Sequence, residues 1–254
     1  MAPLEYLRPK TIEEALQWME RGIPLAGGTS ITPQRMELQA VIDLSDLGLE
    51  GMTVDGDSVE MGAMTRLQSI VEGTVGIPTA LRESCKLEVG WNLRNIATIG
   101  GAIMSCDGRS PLLTALLALD PQVLQVPGER SQLLSGLLED RDQAGLITGI
   151  RYTIPSALLY EQIARTPADF PIVSVVIASS GDPGQENLRI AIGGFGDLPI
   201  RLREAENRLR KDRDPGPAIE SARQAYAHAG DAWASAEYRS EMAGLLVGRL
   251  LRKV

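Results

Sequence analysis

The sequence predicts an α+β fold, and three observations carry that prediction. Helix-period and strand-like runs alternate up to Pro155, beginning with "TIEEALQWMERG", "IPLAGG" and "AVIDLS". Two β-rich apolar runs, "FPIVSVVIAS" and "ENLRIAIGGFG", then stand together with a turn between them. From Leu198 onward the pattern is helical, so strands and helices are segregated in the last third.

The first segment, residues 1–51, reads as a small α/β unit. Ile12, Ala15, Leu16 and Met19 recur at helical spacing, Thr11 is placed to cap the helix and Gly22 to stop it. "IPLAGG" is a short strand entering a loop, and "AVIDLS" is a second strand. The second segment, 52–155, opens with "MTVDGDSVEMGAMT", a hairpin alternating about an Asp/Gly turn. "RLQSIVEG", "GIPTALRESCKLEVG" and "LLTALLALD" read as helices, the last almost wholly apolar. "PQVLQVPG" and "AGLITGIRYTIP" read as strands. The third segment, 156–254, holds the strand pair around a tight turn at "GDPG", then helices broken near "DPGP" and "AGDAW".

Composition removes several functions. The 254 residues are 44% hydrophobic and 23% charged, ordinary for a globular protein. No run of about eighteen apolar residues is present, so no membrane span is expected. "MAPLEYLRPKTIEEALQW" lacks the apolar core of a signal peptide, which points to the cytoplasm. A net charge of −8 argues against nucleic-acid binding. Cys85 and Cys106 are the only thiols and His228 the only histidine, so this chain alone cannot hold a four-cysteine zinc site or an iron–sulfur cluster. His228 lies in the Ala-rich "ARQAYAHAGDAW", which suits a surface or packing histidine better than a catalytic one. The reactive groups are therefore expected to come from a bound cofactor, with no metal site on the chain.

Two glycine pairs are candidate anion sites. Without Cβ, amides in a Gly-Gly turn can approach a phosphate closely. "LAGGTSI" adds the hydroxyls of Thr29 and Ser30 after Gly27 and Gly28, and "ATIGG" adds Thr98 before Gly100 and Gly101. Two such loops could grip the two phosphates of a dinucleotide. Neither matches G-x-G-x-x-G or the phosphate loop ending in Gly-Lys-Ser/Thr, and each alone is also a plausible strand-end turn. The third pair, in "IAIGGFG", reads as structural.

Taken in order, "LAGGTSITP", "WNLRNIATIGGAI", "PLLTALLALD", "IRYTIP", "DFPIVSVVIA", "IAIGGFGDLPIRLREAE" and "EYRSEMAGLLVGRLL" span essentially the whole chain. This ordered set resembles the FAD-binding medium subunit of the xanthine dehydrogenase and carbon monoxide dehydrogenase family of molybdenum hydroxylases. The resemblance implies an FAD-binding fold of the vanillyl-alcohol oxidase and cell-wall reductase type. Its parts would be FAD-binding subdomains at 1–51 and 52–155 and a C-terminal flavoprotein domain at 156–254. It implies FAD as cofactor, an iron–sulfur subunit and a molybdenum cofactor subunit as partners, and NAD or another acceptor as the electron sink. The pyrophosphate contacts carry over to Ala26, Gly27, Gly28, Thr29 and Ser30, and to Thr98, Ile99, Gly100, Gly101 and Ala102, with Leu25 carried over as a further cofactor-binding residue. Ile147 carries over to the adenine. Phe170 stands where many relatives place Tyr beside the isoalloxazine, with a core aromatic as the alternative.

The pattern departs from the family in the second loop. Ala102 follows the glycines where Asn is common, Gly108 replaces a proline, and Pro111 stands where a second acid usually meets the flavin side. Asp107 keeps the first acid. Cys106 could lie near the ring or be a buried inert thiol. Arg109 could stabilise a reduced flavin or pair with Asp107. Ser110 and Pro111 make a complete N-cap and first-turn pair for the apolar helix. The change at Pro111 keeps open a stand-alone FAD oxidoreductase acting on a small molecule, and a scaffold without FAD.

Overall fold

The computed structural model describes residues 4–31, 38–181 and 187–254. Thr32 and Pro33 of the first glycine motif lie outside the described residues, as does the expected "GDPG" turn apart from Gly181. In chain order the elements begin with β1 (Glu5–Leu7), α1 (Ile12–Trp18), β2 (Ile23–Leu25), β3 (Ala40–Asp43), β4 (Met52–Asp55) and β5 (Ser58–Gly62). Then come α2 (Leu67–Glu72), α3 (Thr79–Glu88), α4 (Trp91–Arg94), α5 (Ile99–Ser105) and α6 (Pro111–Leu119). β6 (Gln122–Val126), β7 (Arg130–Leu133), α7 (Leu134–Leu137) and β8 (Leu146–Thr153) follow. The chain closes with β9 (Ala157–Ile163), β10 (Val173–Ser180), β11 (Asn187–Gly193) and β12 (Ile200–Arg201), then α8 (Arg203–Asp212), α9 (Gly216–Ala225) and α10 (Ala236–Leu251).

Local chemistry accounts for most of these boundaries. The Thr11 side chain accepts from the Glu14 N–H and starts α1. β4 and β5 pair antiparallel as the expected hairpin. α6 has Ser110 at its N-cap and Pro111 in its first turn, and its C-cap Asp120 is left-handed with φ 49°. One expectation is corrected: the second glycine pair lies within α5, not in a loop. Thr98 caps that helix from both its side chain and its backbone, which draws the glycines into the first turn.

Packing divides the chain into two units, and neither is continuous in sequence. The first comprises 1–75, 89–105 and 121–152, and the second 76–88, 106–120 and 153–254. This grouping differs from the sequential boundaries at 51 and 155. The physical reason lies in α6, whose nine residues are all buried. A helix apolar on every side must be covered on every side. It packs on α3, β10 and β11, so 76–88 and 106–120 go with the C-terminal strands.

The first unit holds a parallel sheet in the order β1-β3-β2 and a five-stranded sheet in the order β4-β5-β8-β6-β7. Ala15 of α1 meets Ile42, Leu44 and Leu146 in one apolar cluster, with Leu7, Leu16 and Met64 against it. The second unit is built on the antiparallel sheet β12-β11-β10-β9. Val173, Val175 and Ile177 of β10 join residues of α8, α9 and α10 in one core, while α6 packs on β10 as well. Both faces of β10 are covered, so it is buried continuously from Val173 to Ser179. No described helix is long and apolar enough to cross a membrane.

A buried arginine ties the strands of the second unit to α10. Arg239 is 1% exposed and its Nη1 donates to the carbonyls of Ile172 and Gly194, the latter at 2.7 Å. Nη2 donates to both Asp231 oxygens at 2.8 and 2.9 Å. Gly194 has φ 115°, and a Cβ there would stand 2.4 Å from the Ile172 carbonyl oxygen, so the third glycine pair has a structural reason. Replacing Arg239 with Met should destabilise the protein by about 3–5 kcal/mol, because two buried carbonyls and a carboxylate lose their donor. Urea unfolding of native and variant chains checks this, and a change under about 1 kcal/mol would contradict it.

Candidate functional site

The parallel sheet of the first unit sets the stage. In α/β sheets ligands bind beyond the carboxyl ends of parallel strands. β2 ends at Leu25, whose carbonyl accepts from the Leu44 N–H at 3.0 Å, and the chain then turns through Ala26 to Ser30 at that edge. A Cβ on Gly27 would lie 1.9 Å from the Ile96 carbonyl oxygen, so only glycine allows this approach. Gly28 adopts φ 71°, a left-handed step that glycine takes without strain.

Among the described residues, no backbone hydrogen bond uses the N–H groups from Gly27 to Ser30. A run of amides without a backbone partner among the described residues, half-buried from Gly27 to Thr29 and exposed at Ser30, with a left-handed residue inside it, is suited to an anion. The Thr29 hydroxyl has no protein partner among the described residues, whereas Ser30 Oγ donates to Ser105 Oγ at 2.9 Å.

The second glycine segment is different. Ile99 N–H donates to the Thr65 carbonyl at 3.0 Å and Gly100 N–H to the Ala63 carbonyl at 2.9 Å. Gly101 N–H donates to Thr98 Oγ1 at 3.2 Å, and Ala102 N–H to the Thr98 carbonyl at 2.9 Å. All four amides are therefore engaged. Gly100 is glycine for packing, since a Cβ would stand 2.9 Å from the Ala63 Cβ. What remains open to a ligand is the half-buried Gly101 and the hydrogen of the buried Thr98 hydroxyl. Ile147 is buried in β8, 5% exposed and paired with Gln125 of β6.

Cys106, Asp107 and Phe170 belong to the second unit. Cys106 Sγ donates to Glu88 Oε1 at 3.3 Å. Burial, then the neighbouring Glu88, push its thiol far above the ordinary value, which disfavours the reactive thiolate. Asp107 is exposed, and its Oδ1 accepts from the Arg109 N–H at 2.8 Å. Of the two alternatives for Arg109, side-chain pairing with Asp107 is not found. Arg109 instead reaches Asp231 at 3.1 Å, an acid also paired with Arg239, and lies 5.4 Å from the Trp233 ring centre. Phe170 is 46% exposed, which sets aside the core-aromatic alternative. His228 is exposed beyond the end of α9. Among the described residues, no three His, Cys, Asp or Glu side chains gather as metal ligands would.

Sequence reasoning missed Glu88. It is 7% exposed at the end of α3 and accepts from Ser110 Oγ at 2.6 Å and the Leu112 N–H at 3.1 Å, besides Cys106. The available signal was its place on the buried stripe of Leu81 and Cys85, one helical turn further on. Asp231 was also missed, a carboxylate held by two arginines and by the Trp233 and Ala234 amides.

Comparison with known proteins assigns the chain to a class. Residues 2–151 match the FAD binding domain in molybdopterin dehydrogenase, and residues 159–254 match the CO dehydrogenase flavoprotein C-terminal domain. The class is that of FAD-binding oxidoreductases. The chain belongs to the family of FAD-binding medium subunits of molybdenum hydroxylases of the carbon monoxide and aldehyde dehydrogenase type. The Escherichia coli K12 protein YgfM is 31% identical, over 97% of this chain and 94% of its own length. The carbon monoxide dehydrogenase medium chain of Afipia carboxidovorans is 26% identical over 98% of this chain and 96% of its own. A solved structure of carbon monoxide dehydrogenase from Hydrogenophaga pseudoflava superposes with a TM-score of 0.82 at 26% identity, covering 98% of this chain and 96% of that one. The α+β architecture expected from the sequence is thus the fold of this family.

Glu88 yields a pH prediction. Burial raises its carboxyl above the ordinary value of 4.5 and outweighs the lowering by Ser110, Leu112 and Cys106, while Asp107 adds to the rise. The unfolded chain therefore ionises Glu88 first. Its contribution is fully present below 4.5 and is lost as pH rises through the higher folded value. The stability of Glu88→Gln relative to the native chain should accordingly rise across the range from pH 4.5 upward. Urea midpoints across that range test this, and a pH-independent difference would contradict it.

Proposed function

We propose that this chain is the electron-transfer subunit of a molybdenum hydroxylase complex, receiving electrons from iron–sulfur clusters on a partner chain and passing them through FAD to NAD or another acceptor. The observation that carries this reading is the run of amides from Gly27 to Ser30, without a backbone partner among the described residues, at the carboxyl edge of the parallel sheet. The heteromeric setting is supported by relatives named as a carbon monoxide dehydrogenase medium chain and a 6-hydroxypseudooxynicotine dehydrogenase complex subunit.

The amides of Gly27 to Ser30 donate to the pyrophosphate, the Thr29 and Thr98 hydroxyls add donors, and Leu25 and Ala26 lead the chain into the loop. Ile99, Gly100 and Ala102 keep Thr98 and Gly101 in place through their own hydrogen bonds. Ile147 offers an apolar surface to the adenine. In the second unit, the exposed Phe170 ring is available to a planar group, and Asp107 braces the turn that follows Cys106. Bound FAD supplies the exchange between one-electron and two-electron partners, so the protein needs to hold and tune it and to carry no nucleophile of its own.

Absorption of the purified chain, with flavin counted after denaturation, should show close to one FAD per chain. A pull-down should recover an iron–sulfur chain and a larger molybdenum chain. Flavin turnover with a small substrate and no partners would favour the stand-alone reading instead. A colourless chain that ignores added FAD would overturn both. Gly27→Ala forces a shift away from the Ile96 carbonyl and should weaken FAD binding at least about tenfold, read by flavin fluorescence titration. Unchanged affinity would contradict the loop's role.

A further inference from the structure

The two glycine segments are joined by a relay of hydroxyls whose direction is determined. Ser105 Oγ lies 2.8 Å from the Gly101 carbonyl oxygen and 2.9 Å from Ser30 Oγ. A hydroxyl has one hydrogen, and the carbonyl can only accept. Ser105 therefore donates to Gly101, and Ser30 must donate to Ser105. The Ser30 hydrogen is thereby committed within the protein, and its oxygen can offer an anion only lone pairs.

Ser105 is well placed as an anchor. It is the last residue of α5, whose start is fixed by the Ile99 and Gly100 amides on Thr65 and Ala63. Arg141 Nη1 reaches the Met104 carbonyl at 3.3 Å near the helix end. Among the described residues, the Ser30–Ser105 contact is the only side-chain hydrogen bond made by the loop from Ala26 to Ile31.

We propose that Ser105 is a positioning residue for FAD: through Ser30 it holds the Gly27–Ser30 amides in the arrangement that receives the pyrophosphate, and the Ser30 hydroxyl acts as tether rather than phosphate donor. This rests on the reading of that loop as the pyrophosphate site. The second glycine segment then serves the first as a buttress, since its own amides are engaged.

The test is a double-mutant cycle on the full chain stripped of flavin, with FAD affinity read by fluorescence titration and apoprotein stability by thermal unfolding. Ser105→Ala should bind FAD about threefold to tenfold more weakly, the range expected for one net hydrogen bond. Ser105→Thr, which keeps the hydroxyl, should bind like the native chain. Ser30→Ala should match Ser105→Ala, and the double variant should be no worse than either. The apoprotein midpoints should not move.

Native affinity in Ser105→Ala would overturn the proposal and leave the pyrophosphate reading standing. Additive losses would also overturn it, because Ser30 would then act independently of Ser105. A fall in apoprotein stability without rescue by Thr would reduce Ser105 to a folding role. Failure of the native chain to bind FAD would bring down the pyrophosphate reading and this inference with it.

Discussion

The close approach of Gly27 to the Ile96 carbonyl is the constraint on which the first unit's site depends. Two backbones come so near that one methyl group cannot fit between them. Such an approach brings the edge loop of a parallel sheet against the turn that leads into α5, and it is possible only because residue 27 carries no side chain. Among the described residues, no backbone acceptor takes the amides of this loop from Gly27 to Ser30. Glycine at residue 27 permits the packing beside them.

Buried charge is handled in opposite ways at two places in the second unit. Asp231 is drawn upward by burial, but the Arg239 hydrogen bonds and the Trp233 and Ala234 amides outweigh this and hold it below the ordinary carboxylate range. Glu88 has only neutral donors around it and lies above that range. Two differences act in the same direction: Asp231 has a guanidinium partner that Glu88 lacks, and it is also less buried than Glu88. Arg201 repeats the first arrangement, bridging Asp120 and Glu206 where β12 meets α6 and α8.

Features that rest on neighbours within a few residues were readable from the sequence. The Thr11 cap, the Ser110–Pro111 start, the hairpin at Asp55–Ser58 and the doubly covered β10 follow from local spacing and apolar runs. The glycine motifs were found because close backbone approach leaves a compositional mark. What escaped depends on partners far along the chain. Ser30 and Ser105 are 75 residues apart, and Arg109 and Asp231 are 122 apart. No periodicity reports such pairings. The engagement of the second segment's amides was equally hidden, because a glycine pair in a helix and one in an open loop look alike in one-letter code.

The way α3 and α6 are drawn into the second unit has a bearing on how the gene could be divided. A break near residue 155 looks natural on the linear map. It would leave a carboxyl-terminal fragment with an antiparallel sheet whose α6-bearing face is bare and with Arg201 deprived of Asp120. Such a fragment would be a sticky half-structure rather than a portable module. Insertions and fusions should therefore be sought at surface turns within either half, and the chain treated as one indivisible cassette in any attempt to transplant it.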